Sequence, residues 1–410
     1  MAPIWGRLAR PLHALIGPDT VSARQAFYAL LISSGGDLLA GVTLGSIQHT
    51  LEVLPGLLVL IPAAIGMRGN IFGALGSRLG TAIHTGTFTL SRRTSTVVGQ
   101  NVLSALALTF VISLALAALA KSIALAFALR SISLLDFVVI SMVGGVISSA
   151  VVLAITVGVA AGSTRFGWDM DSVAAPVITA AGDMVTLPSL FLATYCVGIR
   201  IISPVLATLT AGLAIASLVG VVRSGLPLLK RIVVESLPIL LMAGAIDIIA
   251  GITIEKRLEA FTTLPALLVL VPPFLEDTGA LGGILAARLS SKLHLGIIEP
   301  TRRPQRAARA DFRLVAVLAI PVFILVAVSA DLVSLLLGLG SPGPVRMIGI
   351  SLIGGLLATT ACLAITYYGA IAAYRLGLDP DNHGIPLVTS SMDLIGAVAL
   401  IFAILIMGVG

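Results

Sequence analysis

Apolar residues run through this chain in long blocks, each closed by glycine, proline or a charged side chain. Eleven such blocks stand at about 25–50, 53–83, 97–120, 132–162, 174–199, 201–222, 233–256, 262–290, 312–339, 345–375 and 386–409. A helix of about 20 apolar residues crosses the ~30 Å hydrocarbon layer of a bilayer. The short alternating segments of a membrane β-barrel do not occur. The pattern therefore predicts an all-α polytopic membrane protein with about 11 spans.

Composition agrees. The 410 residues are 58% hydrophobic and 11% charged, against about 25% charged in soluble domains. The net charge of +6 needs no nucleic-acid partner, because the basic residues gather in loops. Cys196 and Cys362 both fall in apolar segments and read as buried thiols rather than a disulfide or metal pair. Residues 1–24 carry Arg7, Arg10, His13 and Arg24 without an apolar core and cleavage site. They read as a cytoplasmic or interfacial leader.

The blocks repeat. At an offset of 210 residues, without gaps, Asp37 matches Asp247, Gly41 matches Gly251, Pro55 matches Pro265, Pro62 matches Pro272 and Arg78 matches Arg288. The register continues through His84 and His294, Gly144-Gly145 and Gly354-Gly355, Pro176 and Pro386, and Asp183 and Asp393. Between Pro55 and Gly86, 13 of 32 pairs are identical. Apolar helices share leucines by chance, but not prolines, arginines and aspartates in one register.

Each copy holds five spans, so a direct fusion would invert the second. The block 201–222 has no counterpart and returns the chain to its starting side. The copies are then parallel, related by a pseudo-two-fold axis along the membrane normal. With the N-terminus inside, 18 Lys and Arg fall inside and six outside, as the positive-inside rule requires. The organisation expected is a leader (1–24), a first five-helix repeat (25–200), a linker helix and loop (201–232) and a second five-helix repeat (233–410). The protein is expected in the cell membrane, N-terminus cytoplasmic and C-terminus external.

Candidate chemistry follows from charges at membrane depth. An aspartate there costs about 2.5–3.5 kcal/mol on insertion scales, and Asp183 and Asp393 carry that cost at equivalent places. Each follows its proline by seven residues and shares a helix face with Thr179 or Thr389, four residues earlier. Carboxylate, hydroxyl and carbonyl oxygens are ligands for hard divalent cations, and Mg²⁺ is commonly held by one or two carboxylates through retained waters. Two aspartates facing each other across the axis suit such an ion. The bland alternative is a pair of protonated or locally hydrogen-bonded structural aspartates.

Span two of each copy adds more. Copy one has Arg68, Gly69 and Asn70, whereas copy two has Glu276, Asp277 and Gly279. Proline, glycine and polar residues mid-span mark a broken or closely packed helix. Arg68 is expected to meet Glu276 and Asp277 across the axis and offset one acidic charge. Asp37 and Asp247, in span one, form a second ion site, line a vestibule or pair with Arg68. Asp169, Asp171, Asp379 and Asp381 form an acidic mouth that gathers cations or a solvated loop. His84 and His294 lack partners at ligand spacing and read as interfacial. The cluster from Arg302 to Arg313 reads as a topology anchor or lipid-headgroup contact. Nucleotide-binding, zinc-protease and serine-hydrolase motifs are absent.

The stretch Pro62-Ala-Ala-Ile-Gly-Met-Arg-Gly-Asn70 with Ser77-Arg78-Leu79 resembles the membrane domain of MgtE-type magnesium transporters. So do Asp169-Met-Asp-Ser-Val-Ala-Ala-Pro176 through Asp183, and Pro386-Leu-Val-Thr-Ser-Ser-Met-Asp393. The fused duplication is similar to solute carrier family 41. The resemblance covers nearly the whole chain. It implies a divalent-cation pathway between the halves with Asp183 and Asp393 at its centre. Copy two departs from the pattern in having Gly279-Ala280 where copy one has Gly69-Asn70.

The reading reached is transport of a divalent cation, most simply Mg²⁺, and not an enzyme. Its metal-site candidates are Asp183, Asp393, Thr179, Thr389, Asp37, Asp247, Asn70, Glu276 and Asp277. Mg²⁺ is the transported ion, with a structural role also open. The partners are the cation and the bilayer; no protein partner is required, and oligomerisation stays open. A Na⁺- or H⁺-coupled exchanger and a non-transporting structural or receptor module are the rival readings.

Overall fold

A computed structural model describes residues 20–91, 93–166, 170–199, 201–377 and 384–409. The leader up to residue 19 lies outside the described residues, as do Asp169, Asp379, Asp381 and the side chain of Asp171.

Among the described residues every regular element is a helix. In half one they are α1 (Thr20–Ser46), α2 (Gln48–Val53), α3 (Leu57–His84), α4 (Val97–Ala126), α5 (Leu134–Phe166) and α6 (Met170–Thr194). A linker helix follows, α7 (Ile202–Arg223). Half two has α8 (Pro227–Glu255), α9 (Leu258–Thr263), α10 (Ala266–His294), α11 (Arg306–Leu336), α12 (Pro344–Arg375) and α13 (Ile385–Ile406). Eleven of them are long and apolar enough to span a membrane, as the sequence pattern predicts. The six-residue α2 and α9 lead from span one into span two in each half.

The offset of 210 holds in three dimensions. Ser141 donates to the carbonyl of Ser113 at 2.7 Å, and Ser351 to that of Phe323 at 2.7 Å. Arg78 donates to Asn101 at 2.7 Å, and Arg288 to Asp311 at 2.7 Å. Each pair of bonds is related by the same offset.

The halves interlock rather than merely abut. Span one of each half packs against span two of the other: α1 on α10, and α8 on α3. Without a hydrophobic force between helices in lipid, such contacts depend on close backbone approach at small residues. A Cβ on Gly251 would stand 2.6 Å from the carbonyl oxygen of Val59 and 2.7 Å from that of Leu58. A Cβ on Gly41 would collide with the carbonyl oxygen of Val269. Pro62 has no N–H to offer Leu58, and Pro273 none to offer Val269. Gly251 of the opposite half thus covers the Leu58 carbonyl that Pro62 leaves without a helical donor, and Gly41 covers the Val269 carbonyl that Pro273 leaves. Span two is accordingly continuous and closely packed in both halves; of the two alternatives the sequence left open, the break does not occur.

The linker helix α7 lies against α4 and α5. Ser203, Ala207, Ala214 and Val221 are buried on one face, and Ser203 donates to Asp136 at 2.8 Å. Most of the rest of α7 is exposed, as expected of a lipid-facing tether.

Candidate ion site between the halves

The site is built where span five packs on spans one and two of its own half and span one packs on the opposite half's span two. Asp37 (α1) and Asp247 (α8) are 0% exposed, Asp183 (α6) is 1% and Asp393 (α13) is 7%. Each span-five aspartate lies beside the span-one aspartate of its own half: Asp183 against Asp37, and Asp393 against Asp247. Asp183 and Asp393 are within electrostatic range of each other across the axis.

Both oxygens of Asp37, both of Asp247 and Oδ2 of Asp183 are buried without a hydrogen-bond partner. Buried polar atoms are nearly always paired, and a buried carboxylate without a counter-charge is among the costliest groups in a protein. None of the ion pairs among the described residues, which join Arg231 to Glu235 and Asp311 to Arg288 and Lys292, touches these aspartates.

Glu276 lies close to Asp37, Asp183, Asp247, Asp393 and Asp277 in electrostatic terms. Its neighbour Asp277 is 0% exposed and accepts from the hydroxyl of Ser34, at 3.0 and 2.8 Å to its two oxygens. The same hydroxyl is 2.7 Å from the carbonyl of Leu30. A serine has one proton to donate, so Ser34 cannot satisfy both at once.

The remaining candidates are peripheral. Thr179 is half-buried on the face of α6 that carries Asp183. Thr389 is half-buried, donates to the carbonyl of Pro386 at 3.0 Å and lies against Gly279. Asn70 is half-buried on α3, and its counterpart is Ala280. Among the described residues, no three His, Cys, Asp or Glu side chains converge closely enough to enclose a bare ion. The carboxylates stand as two pairs with Glu276 nearby.

Arg68 corrects the sequence expectation. It is buried, but it turns into its own half: Nε donates to Ser148 at 3.1 Å and Nη2 to Ser113 at 3.0 Å, while Nη1 has no partner. It does not meet Glu276 or Asp277 and offsets no acidic charge there by contact, nor does it pair with Asp37 or Asp247.

A narrow cleft leads to the acidic centre. It is lined by residues related by the same offset: Leu44 and Ile254, Ile61 and Val271, Pro62 and Pro272, Ile65 and Leu275. It ends at Glu276 and Asp393. An apolar throat of this kind resists hydration and gates by dewetting in ion pathways.

Three contributors were missed. Ser34 bonds Asp277, the hydroxyl of Ser390 approaches Asp247, and Gly66 brings backbone against Asp247 and Asp393. Ser34 and Ser390 each stand three residues before a site aspartate, which was the available signal. Each serves a carboxylate on another helix, which spacing alone does not reveal.

Comparison with known proteins gives two matches to the MgtE family model, described as a divalent cation transporter, over residues 61–193 and 271–403. Solute carrier family 41 member 2 of Xenopus laevis is 26% identical over 405 residues, spanning 92% of this chain and 70% of its own length. Member 2 of Homo sapiens is 26% identical over 413 residues, spanning 93% and 69%. Member 3 of Rattus norvegicus is 22% identical over 441 residues, spanning 97% and 90%. No solved structure matches the chain significantly.

Proposed function

The chain belongs to the MgtE family of divalent cation transporters, and from that premise we propose that it carries Mg²⁺ across the cell membrane between its two halves. Its activity is transport rather than catalysis. A partly hydrated ion is held at the acidic centre by Asp183 and Asp393, with Asp37 and Asp247 directly behind them. Glu276 and Asp277 add negative field, and Thr179, Thr389 and Asn70 supply further oxygens. The observation that carries this reading is the set of buried aspartate oxygens without partners, at the junction of both halves.

Oxygen-only surroundings favour hard cations over soft ones, and Mg²⁺ sheds its waters reluctantly. Carboxylates from both halves suit that ion, which is commonly held by one or two of them. With the N-terminus cytoplasmic, a potential of about 100 mV, negative inside, favours entry of a divalent cation by about 4.6 kcal/mol. Uptake then needs no second energy source.

The test is Mg²⁺ flux into liposomes holding the purified protein, with and without an imposed potential, beside the Asp183→Asn/Asp393→Asn double variant. Flux that rises with a negative interior and falls at least tenfold in the variant is the expected result. Undiminished flux in a well-folded variant removes these aspartates from the pathway. Flux that requires an opposing Na⁺ or H⁺ gradient makes the protein a coupled exchanger. No flux of any divalent cation from well-folded wild type returns the molecule to the structural or receptor reading.

A further inference from the structure

The α10–α11 connection and the first turns of α11 carry five exposed arginines: Arg302, Arg303, Arg306, Arg309 and Arg313. We propose that they form a binding site for the headgroup of an anionic phospholipid, in the leaflet that meets this end of half two. The site stands apart from the ion pathway and does not depend on it.

Helix length places the patch in the headgroup layer. α11 has 31 residues, which at 1.5 Å per residue is about 46 Å, against a hydrocarbon core of about 30 Å. Its uncharged stretch runs from Leu314 to Ala330, and Arg313 is the last charge before it. The turns that hold Arg306, Arg309 and Arg313 therefore stand outside the hydrocarbon. These three recur at i, i+3 and i+7, so they share one helix face. Tyr368 is exposed beside them, an amphipathic ring of the kind enriched at that level.

The loop that presents Arg302 and Arg303 is fastened down. Ile298 is buried. The hydroxyl of Tyr367 donates to the carbonyl of Thr301 at 2.9 Å, and that of Tyr368 to the carbonyl of Arg302 at 3.2 Å. Nη2 of Arg375 donates to the carbonyl of Pro300 at 2.7 Å.

No carboxylate among the described residues offsets the five charges. Asp311, on the same turns of α11, is buried and engaged by Arg288 and Lys292 at 2.7 and 2.6 Å. Glu299, exposed at the start of the loop, pairs with none of them. Cations in the first turns of a helix also oppose its macrodipole. Exposed charges that repel one another and oppose the dipole favour an anion from outside the chain, and guanidinium groups grip phosphate oxygens in pairs. A lipid fits better than a soluble anion, because Leu295 and Ile297 of the same loop are exposed and acyl chains cover such groups. With the N-terminus cytoplasmic, this is the leaflet where anionic lipids concentrate.

Half one shows what is particular to the patch. The residues related to Arg306, Arg309 and Arg313 are Thr96, Gly99 and Leu103, and those related to Tyr367 and Tyr368 are Val157 and Gly158. Thr96 caps α4 instead, accepting from the N–H of Gly99 at 3.0 Å. The helix arginines and the tyrosines that fasten the loop are present together in half two and absent together from half one. Asp311 also ties these turns to α10 through Arg288 and Lys292, so a lipid held here bears on the span that carries Glu276.

The test is lipid retention by the full-length protein in native mass spectrometry, with dioleoylphosphatidylglycerol and dioleoylphosphatidylcholine offered in equal amounts. Wild type is expected to prefer the phosphatidylglycerol by about tenfold. Arg306→Gln/Arg309→Gln/Arg313→Gln is expected to lower that preference about fivefold or more, and Arg302→Gln/Arg303→Gln, which leaves α11 untouched, about threefold. Lys230→Gln/Arg231→Gln, a basic pair at the start of α8, should leave it within about twofold. Equal retention of the two lipids by wild type overturns the proposal, as does a preference unchanged in either arginine variant. So does an equal loss in the Lys230/Arg231 variant, which would make the attraction a diffuse property of the basic surface. Displacement of the lipid by excess inorganic phosphate would make the ligand a soluble anion and overturn it too. The loop variant decides the matter if the helix variant fails to fold, and none of these readings depends on ion flux.

Discussion

In half one the turn of span two that faces the axis carries Gly66; in half two it carries Glu276. One residue on, Met67 answers Asp277, and two residues on, Arg68 answers Thr278. Meanwhile Asp37, Asp183, Gly41 and Pro62 have identical counterparts in Asp247, Asp393, Gly251 and Pro272. The duplicated chain has kept the groups that define the interlock and the basic carboxylate pairs, and it has used the freedom of fusion to make the surroundings of those pairs different. A homodimer cannot do this, because any change in one subunit appears in both. A fused pair can hold a charge on one side of its axis only.

The largest effect expected concerns what the halves share. Gly41→Leu and Gly251→Leu each force a side chain into a carbonyl of the opposite half. Overpacking costs about 1–3 kcal/mol and occasionally more, and backbone cannot yield as a side chain can. Thermal unfolding in detergent is expected to show loss of about 3 kcal/mol or more for each, with comparable effects in the two halves. A large loss at one glycine and none at the other would mean that the interlock is symmetric in geometry but not in energy.

Second in size is a contrast of opposite sign. Arg68 is buried with one nitrogen unpartnered and only neutral serine hydroxyls on the others. Replacing buried charges with apolar residues of similar volume often stabilises by about 1–4 kcal/mol, so Arg68→Met is expected to raise the unfolding temperature. Thr278→Met should lower it. That hydroxyl is bonded to the carbonyl of Leu275 at 2.7 Å, and a Cβ on Gly396 would stand 2.8 Å from it. Two shifts of the same sign would remove this asymmetry from the comparison.

These two spans also show what the sequence made legible. Prolines, glycines and aspartates at one offset exposed the duplication, because each is costly in a membrane helix and two at equivalent places are not coincidence. The four aspartates were found for the same reason. The direction of Arg68 was not, although helical spacing contains a hint. Residues 66 and 68 are two apart, so they lie on nearly opposite faces of α3 and do not face each other. If position 66 faces the axis, Arg68 points away from it. Ser34 and Ser390 escaped notice because their partners are on other helices, and no local period encodes a contact across the interlock. Whether proline would break span two was equally out of reach, since the answer depended on glycines more than a hundred residues away.

The smallest effect concerns how each span two begins. In half one Gly56 precedes α3 with φ of 85° and offers no side chain to cap it. Its N–H donates instead to Oε1 of Glu255, 2.8 Å away at the end of α8 in the other half. The related N–H in half two, that of Ala266, donates to the backbone carbonyl of Gly340 in its own half at 3.1 Å. Glu255 has Gly45 as its counterpart, so half two has no such cap. A carboxylate at a helix N-terminus contributes about 0.3–1 kcal/mol at exposed sites and up to about 2 when partly buried. Glu255→Gln keeps an acceptor but removes the charge, so a loss of about 1 kcal/mol in unfolding free energy is expected, shrinking little in high salt because the contact is shielded from solvent. Gly45→Glu cannot supply the missing partner, since a Cβ there would meet the Val269 side chain at 2.5 Å, and it should destabilise. If Glu255→Gln instead costs nothing, the first turn of α3 is held by packing alone, and the two halves begin their central helices on equal terms despite their different caps.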